Sequence, residues 1–173
     1  MKTNEITHAG IALALIMVCY IMFKGTLNIV NALLVPLLLY GCFSRQGLKG
    51  AVATLLAFLF LCVIINPLQI IFSIFYILSA LLLCLVTREQ IKFPLKVLIM
   101  SGGVFISFLL SIKLTDHIFL TRIETFMLLL VGGNYFFYLF ILFLEGLLVG
   151  TALVYAAKLY DERVKPWVFL ETK

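Results

Sequence analysis

The stretch from Asn134 to Lys158 constrains the fold more than any other part of the sequence. It is predominantly apolar and carries one charged group in its interior, the carboxylate of Glu145. At a rise of about 1.5 Å per residue, the stretch spans the ~30 Å hydrocarbon core of a bilayer. Tyr135 and Tyr155 lie toward its ends, where aromatic side chains suit the membrane interfaces. The pattern predicts a transmembrane helix.

Glu145 and the glycines that follow it are the first candidate functional residues. An ionised acid at the bilayer centre costs about 3 kcal/mol or more, so we expect Glu145 to face other helices and to be protonated or paired. Functional and purely structural roles are both open for it. Gly146 and Gly150 form a small-xxx-small face, which predicts helix packing or docking of a partner helix.

Composition sets the class of protein. Of the 173 residues, 64% are hydrophobic and 12% are charged, with a mean hydropathy of +1.20. Such a chain has too few polar side chains to coat a soluble globule, so we predict an all-α, polytopic membrane protein with one domain over residues 1–173. The net charge of +5 does not indicate nucleic acid, because the basic residues are dispersed between apolar segments.

The sequence contains no recognisable catalytic or metal-binding motif. Its four cysteines, Cys19, Cys42, Cys62 and Cys84, lie one per apolar segment, without a CxxC pair or a histidine at metal-ligand spacing. They are predicted to be reduced structural thiols. We therefore expect no catalytic residue, no metal, no cofactor and no enzymatic activity.

Six apolar segments are predicted to cross the membrane. They are Ile6–Phe23, Leu27–Phe43, Gly50–Ile65, Leu68–Val86, Val97–Leu114 and Asn134–Lys158. The apolar tract that contains the third and fourth is too long for one crossing, and the dipeptide Asn66-Pro67 is a turn signal, so we divide it there. For residues 115–133, a loop, an interfacial helix and an early part of the sixth span all remain open.

The basic residues predict the orientation. With six spans, both termini lie on one side, and ten of the thirteen Lys and Arg residues fall on that side. These are Lys2, Arg45, Lys49, Arg88, Lys92, Lys96, Lys158, Arg163, Lys165 and Lys173, against Lys24, Lys113 and Arg122 on the other side. By the positive-inside rule, the N and C termini are cytoplasmic and the protein is a multi-pass protein of the cytoplasmic (inner) membrane.

Two further sets of residues are candidates for binding. Small residues on the first span predict a second close-packing or partner-docking face. They are Ala9, Gly10, Ala12 and Ala14. Amide side chains lie toward the outer half of the bundle, where they line a polar pocket or make interhelical hydrogen bonds. They are Asn28, Asn31, Asn66 and Gln69.

Charged residues at the end of the fifth span and after it are candidates for chemistry. Asp116 and His117 are placed on an external loop, where a solvated pair is favoured over an acid–base pair because no nucleophile lies nearby. Lys113 with Asp116, and Arg122 with Glu124, are interpreted as interfacial charges at helix ends, with an anionic-ligand site as the alternative.

The pattern of the chain resembles MreD, the rod-shape-determining membrane protein family. The run from Phe23 to Tyr40 is similar to the first short hairpin and second helix of that family. The next hairpin is resembled by SRQGLKG (Ser44 to Gly50) with the apolar helix after it, then Asn66-Pro-Leu-Gln and a further helix to a basic loop. The chain departs from the family at Leu34–Leu37, where MreD proteins usually carry an Arg-Pro-Asp type sequence. The resemblance implies a non-catalytic scaffold in cell-shape or cell-wall elongation, with MreC and other integral membrane proteins as partners.

The same layout is similar to the S components of energy-coupling-factor vitamin transporters, which share this six-helix fold. That resemblance implies a solute-binding subunit that docks a coupling protein through its first helix. S components usually have a longer first external loop than Lys24–Thr26, which favours the MreD-like alternative. Both alternatives have the lipid bilayer and other membrane subunits as partners, and only the second adds a small-molecule solute.

Overall fold

A computed structural model describes residues 3–23, 28–45 and 48–164, and these residues are helical between short turns, without a strand among them. The helices are α1 (Thr3–Met22), α2 (Asn28–Arg45), α3 (Leu48–Ile65), α4 (Ile70–Arg88), α5 (Phe93–Phe119), α6 (Ile123–Leu130) and α7 (Tyr135–Leu159). A 3₁₀ turn, Pro67–Gln69, precedes α4, and a π-helical segment, Tyr160–Val164, follows α7. The prediction of an all-α chain is confirmed for the described residues.

Three helical segments are long and apolar enough to cross a membrane. They are Pro67–Arg88, Phe93–Phe119 and Tyr135–Arg163, with mean hydropathies of 2.6, 2.1 and 2.2. Three shorter apolar segments accompany them: Gly10–Met22, Ile29–Ser44 and Gly50–Ile65. Large side chains such as Phe60, Leu98 and Phe136 are exposed around the bundle, as expected for a surface that faces lipid. The chain is therefore a membrane-embedded helical protein.

The helices pack around a centre formed by α2, α4, α5 and α7. The closest pairing is α5 with α7, followed by α4 with α5 and α2 with α4, whereas α1 packs on α2 and α3. The fully buried side chains include Leu39, Phe58, Leu83, Met100 and Leu153, which come from five different helices. The start of α2, the turn between α3 and α4, and the end of α5 line one cavity together with α6, so they lie at the same end of the bundle. We call this the α6 end.

The break between α3 and α4 lies where the sequence predicts it. The backbone N–H of Asn66 donates the last hydrogen bond of α3, to the Cys62 carbonyl at 2.9 Å. Pro67 then starts the 3₁₀ turn, where its missing N–H costs no helical hydrogen bond. The turn leaves Asn66 and Gln69 at the α6 end of the bundle.

The placement of Asp116 and His117 on a loop is wrong. Helix α5 continues past the predicted end at Leu114 to Phe119. The buried face of the helix includes Ile112 and Thr115 and so extends into the polar sequence, which favours another helical turn.

Residues 115–133 contain a separate short helix, α6, rather than an extension of the last span. Gly132 and Gly133 adopt φ angles of +70° and +77°, a conformation that glycine tolerates best, and they form the turn before α7. The Asn134 side chain then caps α7 by accepting hydrogen bonds from the amides of Phe136 and Phe137 at 3.0 and 3.2 Å.

Candidate functional site

A cavity of about 680 Å³ lies at the α6 end, between α2, α4, α5, α6 and α7. Its lining is mostly apolar, with three phenylalanines and a few polar groups. The lining residues are Ile29, Asn66, Leu68, Gln69, Phe72, Phe108, Ile112, Thr115, Thr121, Ile123, Phe126, Met127, Leu142 and Glu145. Volume and lining are both typical of a small-molecule site. We call it the α6-end cavity.

Glu145 reaches this cavity from the inner face of α7. Tyr138, Leu142, Val149 and Leu153 are buried at helical spacing on that face, and Glu145 follows Leu142 after three residues. Its side chain is half-buried, and no described residue donates a hydrogen bond to it or forms an ion pair with it. The structure therefore places a carboxylate without a partner, near the middle of a membrane-spanning helix, on the wall of a cavity.

Asn66 and Gln69 bring two amide groups to the same cavity. The turn between α3 and α4 positions both, and the Asn66 side chain is 8% exposed. Neither side-chain amide forms a hydrogen bond with a described residue. Together with Glu145, they give the cavity hydrogen-bonding capacity that the protein itself does not use.

Helix α6 forms one wall of the cavity and is held at its first turn by Asp116. One carboxylate oxygen of Asp116 accepts hydrogen bonds from the Thr121 hydroxyl at 2.5 Å and from the Ile123 amide at 2.8 Å. The other accepts from the Glu124 amide at 2.8 Å. These bonds satisfy amides that have no partner within α6, and the negative charge suits a helix N-terminus. Asp116 is thus a positioning residue for the cavity wall.

Asp116→Ala is expected to loosen α6. Loss of a side chain that caps a helix costs about 1 kcal/mol, so amide hydrogen exchange in residues 123–130 should accelerate by about fivefold to tenfold. Hydrogen-exchange mass spectrometry of the detergent-solubilised protein measures this. His117→Ala is the matched control, because His117 is the exposed neighbour of Asp116 on α5. Equal exchange in the two variants would show that Asp116 does not hold α6.

The other candidate residues from the sequence lie elsewhere. Gly146 and Gly150 are buried against α5, where a Cβ atom on Gly150 would lie 2.5 Å from the Cα of Ser101. Asn31 is fully buried and does not line the α6-end cavity. Its side-chain amide nitrogen donates instead to the carbonyl oxygens of Tyr20 and Phe23 at 3.4 and 3.1 Å. These carbonyls lie at the C-terminal end of α1, where main-chain carbonyls have no partner further along the helix.

Two of the small residues of α1, Gly10 and Ala14, lie on its outer side. Gly10 and Ala14 are exposed, Ala12 is half-buried, and a Cβ atom on Gly10 would meet nothing within 4 Å. The side chains of Ala9 and Asn28 lie outside the part of the chain that the structure describes.

Two further cavities, of about 850 and 370 Å³, lie at the opposite end. Several of their polar groups already form hydrogen bonds within the protein. The Tyr40 hydroxyl donates to Asp161 at 2.6 Å, the Thr87 hydroxyl donates to the Leu83 carbonyl at 2.8 Å, and Lys96 donates to the Thr87 carbonyl at 3.3 Å. We prefer the α6-end cavity as the functional site, although it is smaller than the first of these, because its carboxylate and amides have no such partners.

No family model, curated protein or solved structure matches this chain. The function must therefore be inferred from its own residues. Within the described residues, no three His, Cys, Asp or Glu side chains are grouped as metal ligands would be.

Several residues of the cavity were not predicted from the sequence. Nothing in the sequence distinguishes Phe72, Phe108 and Phe126 from the other phenylalanines, and Thr115 and Thr121 lie in the segment 115–133, for which the sequence leaves several structures open. The spacing of apolar residues identifies the inner face of each helix, but it does not tell which inner faces leave a space between them.

Proposed function

We propose that this protein is a six-span protein of the cytoplasmic membrane that binds a small solute in the α6-end cavity. The observation that carries the proposal is the cavity, in which Glu145, Asn66 and Gln69 offer unused hydrogen-bonding groups within a largely apolar wall. Acidic residues inside a membrane are costly and usually mark a binding or transport pathway. A polar group retained only for stability would be expected to have a partner within the bundle.

The charges at the two ends support an outward-facing cavity. Most of the described basic residues lie at the end opposite the cavity, and by the positive-inside rule that end is cytoplasmic. They are Arg45, Lys49, Arg88, Lys92, Lys96, Lys158 and Arg163, against Lys113 and Arg122 at the α6 end. With both termini cytoplasmic, the solute enters from the outer side of the membrane.

This proposal corresponds to the solute-binding S components that the sequence resembles. The sequence contains no Gly-rich phosphate loop of the Walker type, so any ATP hydrolysis linked to transport would belong to partner subunits. In this proposal the protein is itself not an enzyme.

An MreD-like scaffold is the second candidate, and the outer side of α1 favours it. Gly10 and Ala14 lie one helical turn apart and are exposed, so the backbone of another membrane helix can approach closely there. In that case the protein would hold other integral membrane proteins of cell-shape or cell-wall synthesis together, and the α6-end cavity would have no solute.

Purification in mild detergent, followed by denaturation and mass spectrometry of the released small molecules, tests the proposal. We expect one water-soluble solute in an amount close to that of the protein, because a protein that captures scarce solutes binds them tightly enough to survive purification. A mock purification from cells without the protein is the control. Recovery of other membrane proteins without any solute would contradict the proposal and support the scaffold.

A further inference from the structure

The wall of the α6-end cavity has one ionisable side chain, and it is acidic. Glu145 is the single acidic residue among the lining residues, and no Lys, Arg or His is among them. The polar remainder consists of neutral amides and hydroxyls. Lys113, His117 and Arg122, the described basic groups at this end, are exposed and lie outside the lining.

Two acidic residues lie near the cavity but add no basic group to its wall. Asp116 lies near the cavity, but hydrogen bonds from Thr121, Ile123 and Glu124 already occupy both of its oxygens. Glu124 is half-buried on α6 and is also outside the lining. An anionic solute would therefore meet the Glu145 carboxylate without a compensating cation, whereas a cationic solute would supply the partner that Glu145 lacks.

The apolar part of the wall also suits a cation of a particular kind. Phe72 on α4, Phe108 on α5 and Phe126 on α6 are three aromatic residues in the lining of the cavity, each from a different helix. Aromatic rings attract organic cations, above all quaternary ammonium groups, through the negative potential of their faces. A bare metal ion is disfavoured because it needs several oxygen, nitrogen or sulfur ligands, and the cavity supplies one carboxylate in a large apolar space.

We propose that the solute of the α6-end cavity is an organic cation with an apolar or aromatic body, bound through the carboxylate of Glu145. This inference rests on the proposed function, since it names the class of solute that the cavity takes. The carboxylate pairs with the ammonium or other cationic group, and Asn66 and Gln69 are available for polar substituents of the body.

Three probes of similar shape and different charge test the inference by titration calorimetry in detergent. Benzyltrimethylammonium is the cation, neopentylbenzene is its neutral isostere, and 3-phenylpropionate is the anion. We expect the cation to bind the wild-type protein at least about tenfold more tightly than the other two. Detergent alone is titrated as the blank.

Glu145→Gln removes the charge while keeping the shape of the side chain. We expect it to weaken binding of the cation about tenfold or more and to leave binding of neopentylbenzene unchanged. The matched control is Glu162→Gln, which removes an exposed carboxylate at the opposite end, where Glu162 pairs with Lys158 at 3.8 Å. It should bind the cation as the wild type does.

Failure of this inference can be distinguished from failure of the proposed function. A neutral or anionic solute recovered from the purified protein, or equal affinity of Glu145→Gln and wild type for benzyltrimethylammonium, overturns the cationic class and leaves solute binding intact. Absence of a recovered solute, together with no binding of any of the three probes, overturns both.

Discussion

Gly150→Leu is expected to prevent α5 and α7 from packing, with the largest loss of stability of any single change considered. A Cβ atom on Gly150 would lie 2.5 Å from the Cα and 2.6 Å from the backbone nitrogen of Ser101, and backbone atoms of a helix cannot move aside as a side chain can. Even Gly150→Ala should lower the free energy of unfolding by about 1–3 kcal/mol, and leucine should prevent assembly of the bundle.

Thermal unfolding in detergent, followed with a thiol-reactive dye, measures this effect. The thiols of Cys42 and Cys62 are buried and become reactive only when the bundle opens. Gly102→Ala is the matched control, because Gly102 lies on α5 and a Cβ atom there meets nothing within 4 Å. If Gly150→Ala and Gly102→Ala unfold at the same temperature, the close approach of α5 and α7 is wrong.

The positions of the helices follow largely from the sequence. Each predicted span coincides with an apolar helix, and three of these helices are long enough to cross a membrane, because a helix satisfies its own backbone hydrogen bonds where no water is present. The Asn66-Pro67 turn was predictable for a local reason, since proline removes a backbone donor and asparagine favours turns. The number of crossings and the orientation of the termini remain predictions.

The partner of each helix face was not predictable. Gly10 with Ala14 and Gly146 with Gly150 are the same kind of small-residue pair at the same spacing, yet the first is exposed and the second is buried against α5. Spacing indicates that a backbone can approach closely, but not whether that backbone belongs to this chain.

The role of Asp116 depends on contacts that the sequence pattern does not reveal. A helix cap is recognisable when the capping side chain immediately precedes the helix, but Asp116 lies seven residues before Ile123 and reaches its amide across the turn after α5. The cavity is likewise a property of five helices together. Glu145 was predicted to face inward because of its cost in lipid, whereas the space beside it was not predicted.

Gln69→Trp is the second change with a large expected effect, and it acts on binding rather than on folding. Gln69 is half-buried, and its side chain lines the α6-end cavity without a hydrogen bond to a described residue. A tryptophan at this position projects its indole into the cavity and occupies part of the space of the solute. We expect the unfolding temperature to stay close to that of the wild type, while affinity for the solute falls at least about tenfold.

The matched control for this change is Leu78→Trp. Leu78 lies on α4, the helix that begins directly after Gln69, but it is 48% exposed and is not part of the cavity wall. The Leu78→Trp substitution introduces the same side chain on the outer surface of the bundle, where tryptophan meets lipid or detergent.

The amount of solute that co-purifies with the wild type, with Gln69→Trp and with Leu78→Trp tests the central claim most directly. Binding in the α6-end cavity predicts solute on the wild type and on Leu78→Trp, and little or none on a folded Gln69→Trp. Equal amounts on all three proteins, or none on any of them, would contradict the claim that this cavity is the solute site.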